Sequence, residues 1–134
     1  MENDELIGRA RDVMERAYAP YSGFRVGAAL LGEDGSVHTG CNVENASYGL
    51  TVCAERAAVS SAVSRGVRHF RAVAIATSGT EAVPPCGACR QVLAEFSPLV
   101  TILSVGGDDR RKWTLDQLLP EPFGRRSVPT GERA

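Results

Sequence analysis

What this 134-residue chain lacks narrows its class first. No apolar stretch is long enough to cross a membrane, which takes about 20 consecutive apolar residues in a helix. The N-terminus, Met1-Glu2-Asn3-Asp4-Glu5, is acidic and carries neither the basic segment nor the apolar run of a signal peptide. A cytoplasmic, reducing location is therefore expected. There is no long basic run either. Arg110-Arg111-Lys112 and Arg125-Arg126 are small basic spots in a chain of formal net charge −1 and pI about 6.1. Polynucleotide binding draws on a basic face that neutralises phosphates, so neither nucleic acid nor membrane is expected as a partner. Histidine is limited to His38 and His69. Each stands alone and reads as a satisfied surface or strand residue rather than a ligand. No repeat, linker or second domain is visible. The length suits one domain with a sizeable core, and hydrophobic and charged fractions of 43% and 23% are those of an ordinary globular protein. The expected organisation is a single domain over 1–123 and a polar, mobile tail over 124–134.

Four cysteines in a reducing compartment point to metal or catalysis more than to disulfides. They fall in an informative pattern. Cys86 and Cys89, in Pro85-Cys86-Gly87-Ala88-Cys89-Arg90-Gln91, have the spacing that lets one helical turn present two sulfurs to one metal. Cys53-Ala54-Glu55-Arg56 offers a third thiol with a carboxylate two residues on. Three protein ligands leave tetrahedral zinc one position for water, and Glu55 is placed to take that water's proton. Three thiolates make the metal electron-rich and a poor Lewis acid unless charge is drained from the sulfurs. Arg56 and Arg90 are expected to do so as guanidinium donors, helped by helix N-termini at the cysteines.

The remaining chain reads as alternating elements. Leu6, Ile7, Ala10, Val13, Met14 and Ala17 share one helical face, with Asn3 as N-cap and an end before Pro20. Val26–Leu31 and Ser36–Cys41 read as strands joined through Glu33-Asp34-Gly35, and Gly27 and Gly40 as points of close backbone approach or a bulge. A helix follows, capped by Thr51 and stopped at Gly66. Phe70–Thr77 and Val100–Val105 read as buried strands on either side of the second cysteine-bearing helix. Arg111–Trp113 is a short edge strand, and Thr114-Leu115-Asp116-Gln117 has the form of a capping box for a short last helix. The order predicts an α/β fold: a three-layer α/β/α sandwich with a mixed central sheet. Right-handed crossovers would bring both cysteine-bearing helix starts to one end of it.

Competing readings bear on the same residues. A Cys-x-x-Cys pair can be a redox motif, but such motifs usually lie near the first strand, and this one is late with a third cysteine upstream. A structural four-cysteine zinc site would recruit Cys41, yet Cys41 and Cys53 are too widely spaced to form a knuckle, and Cys41 reads as a small buried hydrophobe. Asn42 and Glu44, at i and i+2, fit two readings equally: turn chemistry, or a pair pointing the same way to grip a polar ligand.

Cys-x-Glu followed by Pro-Cys-x-x-Cys resembles the three-cysteine form of the zinc deaminase signature. Ala19-Pro20-Tyr21-Ser22-x-Phe24, Val26-Gly27-Ala28-Ala29-Leu30, Gly40-Cys41-Asn42-Val43-Glu44-Asn45-Ala46, the two cysteine blocks and Leu118-Leu119-Pro120-x-x-Phe123 are similar to the small homotetrameric cytidine deaminases, in the same order, from about residue 6 to Phe123. The resemblance implies Zn2+ held by Cys53, Cys86 and Cys89, with Arg56 bonding the ligand sulfurs. It implies hydrolysis of cytidine and deoxycytidine to uridine and deoxyuridine with release of ammonia, a step of pyrimidine salvage. Zinc-bound hydroxide would attack C4 and Glu55 would shuttle the protons. It implies that Asn42 and Glu44 hold the ribose hydroxyl, that Phe24 packs near the base and that the Ala54 backbone meets the pyrimidine carbonyl. The partners implied are a small nucleoside and, in a homotetramer, neighbouring subunits that lend Ala46, Tyr48 and Phe123 to the site. Phe123 also fits a simple core anchor after Pro120 and Pro122. Two further functions share the zinc signature: a deaminase for a blasticidin-type antibiotic, against which the Asn42-x-Glu44 pair speaks, and a non-catalytic zinc module.

Overall fold

Two glycines decide how closely helices approach the sheet. In the computed structural model, which describes residues 1–129, the first helix, α1 (Asn3–Met14), lies against Gly27 of strand β1 (Val26–Gly32). A Cβ on Gly27 would stand 2.1 Å from the Ala10 carbonyl oxygen and 2.7 Å from the Met14 nitrogen. Strand β2 (Val37–Cys41) makes the same approach to helix α2 (Ala54–Ser64): a Cβ on Gly40 would lie 2.5 Å from Ala58 N and 2.7 Å from Ala54 O. Only a residue without a side chain fits between backbones at these distances. Gly35, at φ +88°, closes the hairpin between the two strands, and Gly66, at φ +85°, ends α2.

Strand β3 (Phe70–Thr77), helix α3 (Gly87–Phe96), strands β4 (Thr101–Gly106) and β5 (Asp109–Thr114) and the short helix α4 (Leu115–Leu118) complete the chain. The five strands are ordered β2-β1-β3-β4-β5, with β3 and β4 parallel and every other pairing antiparallel. Alternation along the strands divides the core in two. Ala29, Leu31, Ala72, Ala74, Leu103 and Val105 meet Leu6, Ile7 and Ala10 of α1. Ala28, Leu30, Val73, Ile75 and Ile102 meet Ala58, Val59 and Ala62 of α2 and Leu93 of α3. This is the expected three-layer sandwich with a mixed sheet. The ends of β2, β3 and β4 and the start of β1 lie at one edge, as the pairings Val26↔Thr77, Gly27↔Cys41 and Thr77↔Gly106 require.

Several boundaries differ from expectation. Helix α1 stops at Met14, because the backbone at Tyr18 is captured instead: its N–H donates to Asn42 O and its carbonyl accepts from Glu44 N–H. The α1 N-cap is Glu2 rather than Asn3. The N-cap of α2 is Cys53, and Thr51 lies before it in extended backbone. The edge strand β5 is longer than Arg111–Trp113 because it pairs along the whole of β4. The capping box at Thr114 and Gln117 is present. Of the expected tail, Arg125–Ser127 forms a 3₁₀ turn, and 130–134 lie outside the described residues. No helix among the described residues is long and apolar enough to cross a membrane.

Candidate metal centre and its cavity

Helices α2 and α3 both start at the sheet edge where β2 and β3 end, and both start on cysteine. Cys53 and Cys86 are the N-caps, in extended backbone at φ −74°, ψ 153° and φ −64°, ψ 165°, and neither sulfur caps its own helix. Cys89 follows in the first turn of α3 and is fully buried. The two helix starts bring the sulfurs together, with Cys53 Sγ 3.9 Å from Cys86 Sγ and Cys86 Sγ 3.3 Å from Cys89 Sγ. All three lie within 4.8 Å of one another. A tetrahedral zinc with Zn–S bonds near 2.3 Å sets its sulfurs about 3.8 Å apart, so this thiol set has the spacing and the soft donor chemistry for Zn2+. Cys41 is not part of the cluster, which removes the four-cysteine alternative.

The electrostatics favour a metal-ligating thiolate. A hydrogen bond from Cys89, with Arg56 beside it, draws the Cys53 thiol down from 9.0 to about 5. Its hydrogen bond to Cys53, and then burial, push the Cys89 thiol up. Arg56 donates to Cys53 Sγ at 3.5 Å and to Thr51 O at 3.2 Å. Arg90 does not take the role expected of it. Its Nε donates to Pro85 O at 2.8 Å and its Nη1 to Leu118 O at 3.1 Å, so its guanidinium is held by backbone carbonyls rather than by a sulfur. Arg56, three residues after Cys53, reaches the sulfur. Arg90, one residue after Cys89, staples the helix start to α4.

Beside the cluster is a cavity of about 240 Å³ lined by Phe24, Val26, Asn42, Thr51, Cys53, Ala54, Glu55, Ile75, Val83, Pro84 and Cys86. Glu55 is 6% exposed. Burial, and the nearby Cys53 charge, raise its carboxyl above the usual 4.5. Such a group can hold or release a proton closer to neutrality than a solvated glutamate.

Asn42 and Glu44 prove to be loop anchors as well as candidate ligands. Asn42 Oδ1 accepts from Val26 N–H at 2.8 Å, and its Nδ2 donates to Phe24 O at 2.8 Å. Glu44 accepts from the backbone N–H groups of Tyr21 and Ser22 at 2.9 and 3.1 Å and from the Ser22 hydroxyl at 2.5 Å. The Ser22 bond holds its carboxyl below the usual 4.5. Each side chain keeps further hydrogen-bonding capacity. Together they fix the loop that presents Phe24.

Six of the sequence-derived site residues line the cavity: Phe24, Asn42, Cys53, Ala54, Glu55 and Cys86. Cys89 and Arg56 complete the sulfur cluster. Glu44, Ala46, Tyr48 and Phe123 do not line it, and Tyr48 and Phe123 are 78% and 63% exposed. Sequence reading missed Val26, Thr51, Ile75, Val83 and Pro84 as wall residues. Apart from Thr51 they carry no polar group that would have marked them.

Comparison with known proteins agrees with this geometry. Residues 1–104 match the family described as the cytidine and deoxycytidylate deaminase zinc-binding region. The cytidine deaminase of Sporosarcina psychrophila is 47% identical over 131 residues, 96% of each chain. That of Halalkalibacterium halodurans is 50% identical over 125 residues, covering 92% of this chain and 95% of its own. The crystal structure of cytidine deaminase from Burkholderia pseudomallei superposes with a TM-score of 0.88 at 46% identity, over 92% of this chain and all of that one. The chain therefore belongs to the cytidine and deoxycytidylate deaminase family of zinc-binding enzymes.

Proposed function

We propose that the enzyme hydrolyses the 4-amino group of cytidine and deoxycytidine, giving uridine or deoxyuridine and ammonia, in pyrimidine salvage in the cytoplasm. The observation that carries this reading is the buried carboxylate of Glu55 in an otherwise mainly apolar cavity that it shares with two thiols of a three-thiol cluster. Cys53, Cys86 and Cys89 would hold Zn2+. When bound, the metal supplies a water acidified to near neutrality as the nucleophile for C4.

The chain's own groups do the rest. Glu55 takes the proton from that water, delivers one to N3 of the pyrimidine and assists departure of the amine. Phe24, with Val26, Ile75, Val83 and Pro84 on the cavity wall, packs against the base and excludes water. The Ala54 N–H, in the first turn of α2, has no intrahelical acceptor and is assigned to the pyrimidine carbonyl. Asn42 and Glu44, already oriented by their loop bonds, grip the sugar hydroxyl. A cavity of about 240 Å³ is below the ~300 Å³ at which small-molecule sites usually begin, which suits a site completed by other subunits. Ala46, Tyr48 and Phe123, exposed in the single chain, are assigned to the sites of neighbours in a homotetramer. A reducing cytoplasm keeps the cysteines as thiols.

The test is to incubate zinc-analysed protein with cytidine and follow the ultraviolet change to uridine, with Glu55→Gln alongside. The variant is expected to keep its zinc and its fold and to lose about 10²–10⁴-fold in kcat. Zinc-loaded wild type that turns over neither cytidine nor deoxycytidine would refute the nucleoside reading.

A further inference from the structure

The segment between β3 and α3 is tied to the sheet by groups outside the metal cluster. Ser104 of β4 is fully buried, on the same face as Ile102. Its hydroxyl donates to Val83 O at 2.6 Å and accepts from Val83 N–H at 3.1 Å. One side chain thus satisfies both backbone groups of a single loop residue. Next to it, Asp109 Oδ2 accepts from Ala82 N–H at 2.8 Å. Gly106 lets the Glu81 carbonyl lie where a Cβ would be only 2.1 Å away. Residues 81–83 are therefore fixed to the end of β4 and the start of β5.

The chain between these anchors and the metal cluster is stiff. Val83 and Pro84 are cavity wall, and only Pro84 and buried Pro85 separate Val83 from the Cys86 sulfur. Proline fixes φ in both residues, so a displacement at Val83 is carried to Cys86 rather than absorbed. Arg90 holds the far end by its bond to Pro85 O. A valine at 104 would fill similar space without burying a hydroxyl. A hydroxyl at this place is favourable because both of its bonds are made, and without it the two Val83 groups would be left unpaired.

We propose that Ser104 is a positioning residue for the reaction. With Asp109 it sets the Val83–Pro84 wall against the base and Cys86 against the metal. This rests on the cavity being the cytidine site, but its effect on the metal is measurable without turnover.

The experiment compares zinc-loaded wild type, Ser104→Ala, Ser104→Thr and Asp109→Ala in three measurements: zinc release to a chromogenic chelator, kcat and KM for cytidine, and thermal midpoint. Ser104→Ala is expected to release zinc about tenfold faster and to raise KM about tenfold with a much smaller change in kcat. Ser104→Thr, which keeps the hydroxyl, is expected to restore both. Asp109→Ala, at an exposed position, should move both in the same direction by less. Wild-type zinc release and KM in Ser104→Ala, even with a lowered thermal midpoint, would assign the hydroxyl to stability alone and overturn the proposal. Failure of threonine to rescue would do the same where the thermal midpoint of Ser104→Thr matches wild type, which excludes overpacking by its added methyl. If Ser104→Ala does not fold, unchanged zinc release and KM in Asp109→Ala overturn it. If wild type holds zinc without deaminating cytidine, the functional reading fails while the zinc-release comparison still decides the role of Ser104.

Discussion

At the residue scale, the three thiols that meet and the carboxyl of Glu55 beside them were legible because each of the two cysteine blocks is a local pattern, although 33 residues separate Cys53 from Cys86. Two cysteines three apart at a helix start must face the same way, whatever the rest of the fold does. Arg90 was misplaced because one of its partners, Leu118 O, lies 28 residues away, where no local spacing announces it. Arg56 is the guanidinium that reaches the cluster, and it spans Cys53 Sγ and Thr51 O with one nitrogen. Three thiolates and Zn2+ carry one net negative charge, and a fixed guanidinium offsets it. Arg56→Gln keeps some hydrogen-bonding capacity but loses the charge. It is expected to weaken zinc binding and activity by about 10–100-fold, measured by chelator competition and by kcat on the zinc-saturated enzyme. Wild-type values in that variant would reduce Arg56 to a packing role.

At the element scale, the strands and their order followed from apolar runs and turn residues, and the close approaches at Gly27 and Gly40 were visible as glycines in strands. The end of α1 was not visible, because its cause is a long-range pairing of Tyr18 with the 42–44 segment. The cavity wall was hidden for a similar reason: Val26, Ile75, Val83 and Pro84 come from separate places in the chain and meet only once β1, β3 and the segment before α3 are in register. The two glycines lie on opposite faces of the sheet, and this separates fold from function. Gly40→Ala forces the backbone of α2 outward at Ala54 and Ala58, next to Cys53 and Glu55. Gly27→Ala forces α1 outward on the other face. Both are expected to lose about 1–3 kcal/mol or more in urea unfolding, as overpacked sites do. Only Gly40→Ala should also lose zinc affinity. Equal zinc affinities in the two variants would mean that α2 adjusts without moving Cys53.

At the scale of the whole molecule, the described residues bring a three-thiol cluster and a cavity together and leave several large apolar side chains exposed. Tyr48, Leu50 and Phe123 are 78%, 66% and 63% exposed. Single exposed apolar residues are ordinary on a protein surface. Phe123 differs in being held in place: both of its backbone groups are bonded by the amide of Gln91, whose Oε1 accepts from Phe123 N–H and whose Nε2 donates to Phe123 O. Gln91 stands on α3 two residues after Cys89, so the helix that bears two of the clustered thiols also holds the backbone of Phe123. If the Phe123 ring covers a neighbour's cavity, the defects in Glu55→Gln and Phe123→Ala chains should complement. A site that takes its Glu55 from a Phe123→Ala chain and its ring from a Glu55→Gln chain has both groups intact. Co-expressed chains, separated by tag as mixed oligomers, are therefore expected to show a lower KM than Phe123→Ala oligomers and a higher kcat than Glu55→Gln oligomers. Activity equal to the weighted mean of the two parents would place Phe123 in its own chain's site or in none, and would leave the shared-site homotetramer without its main support.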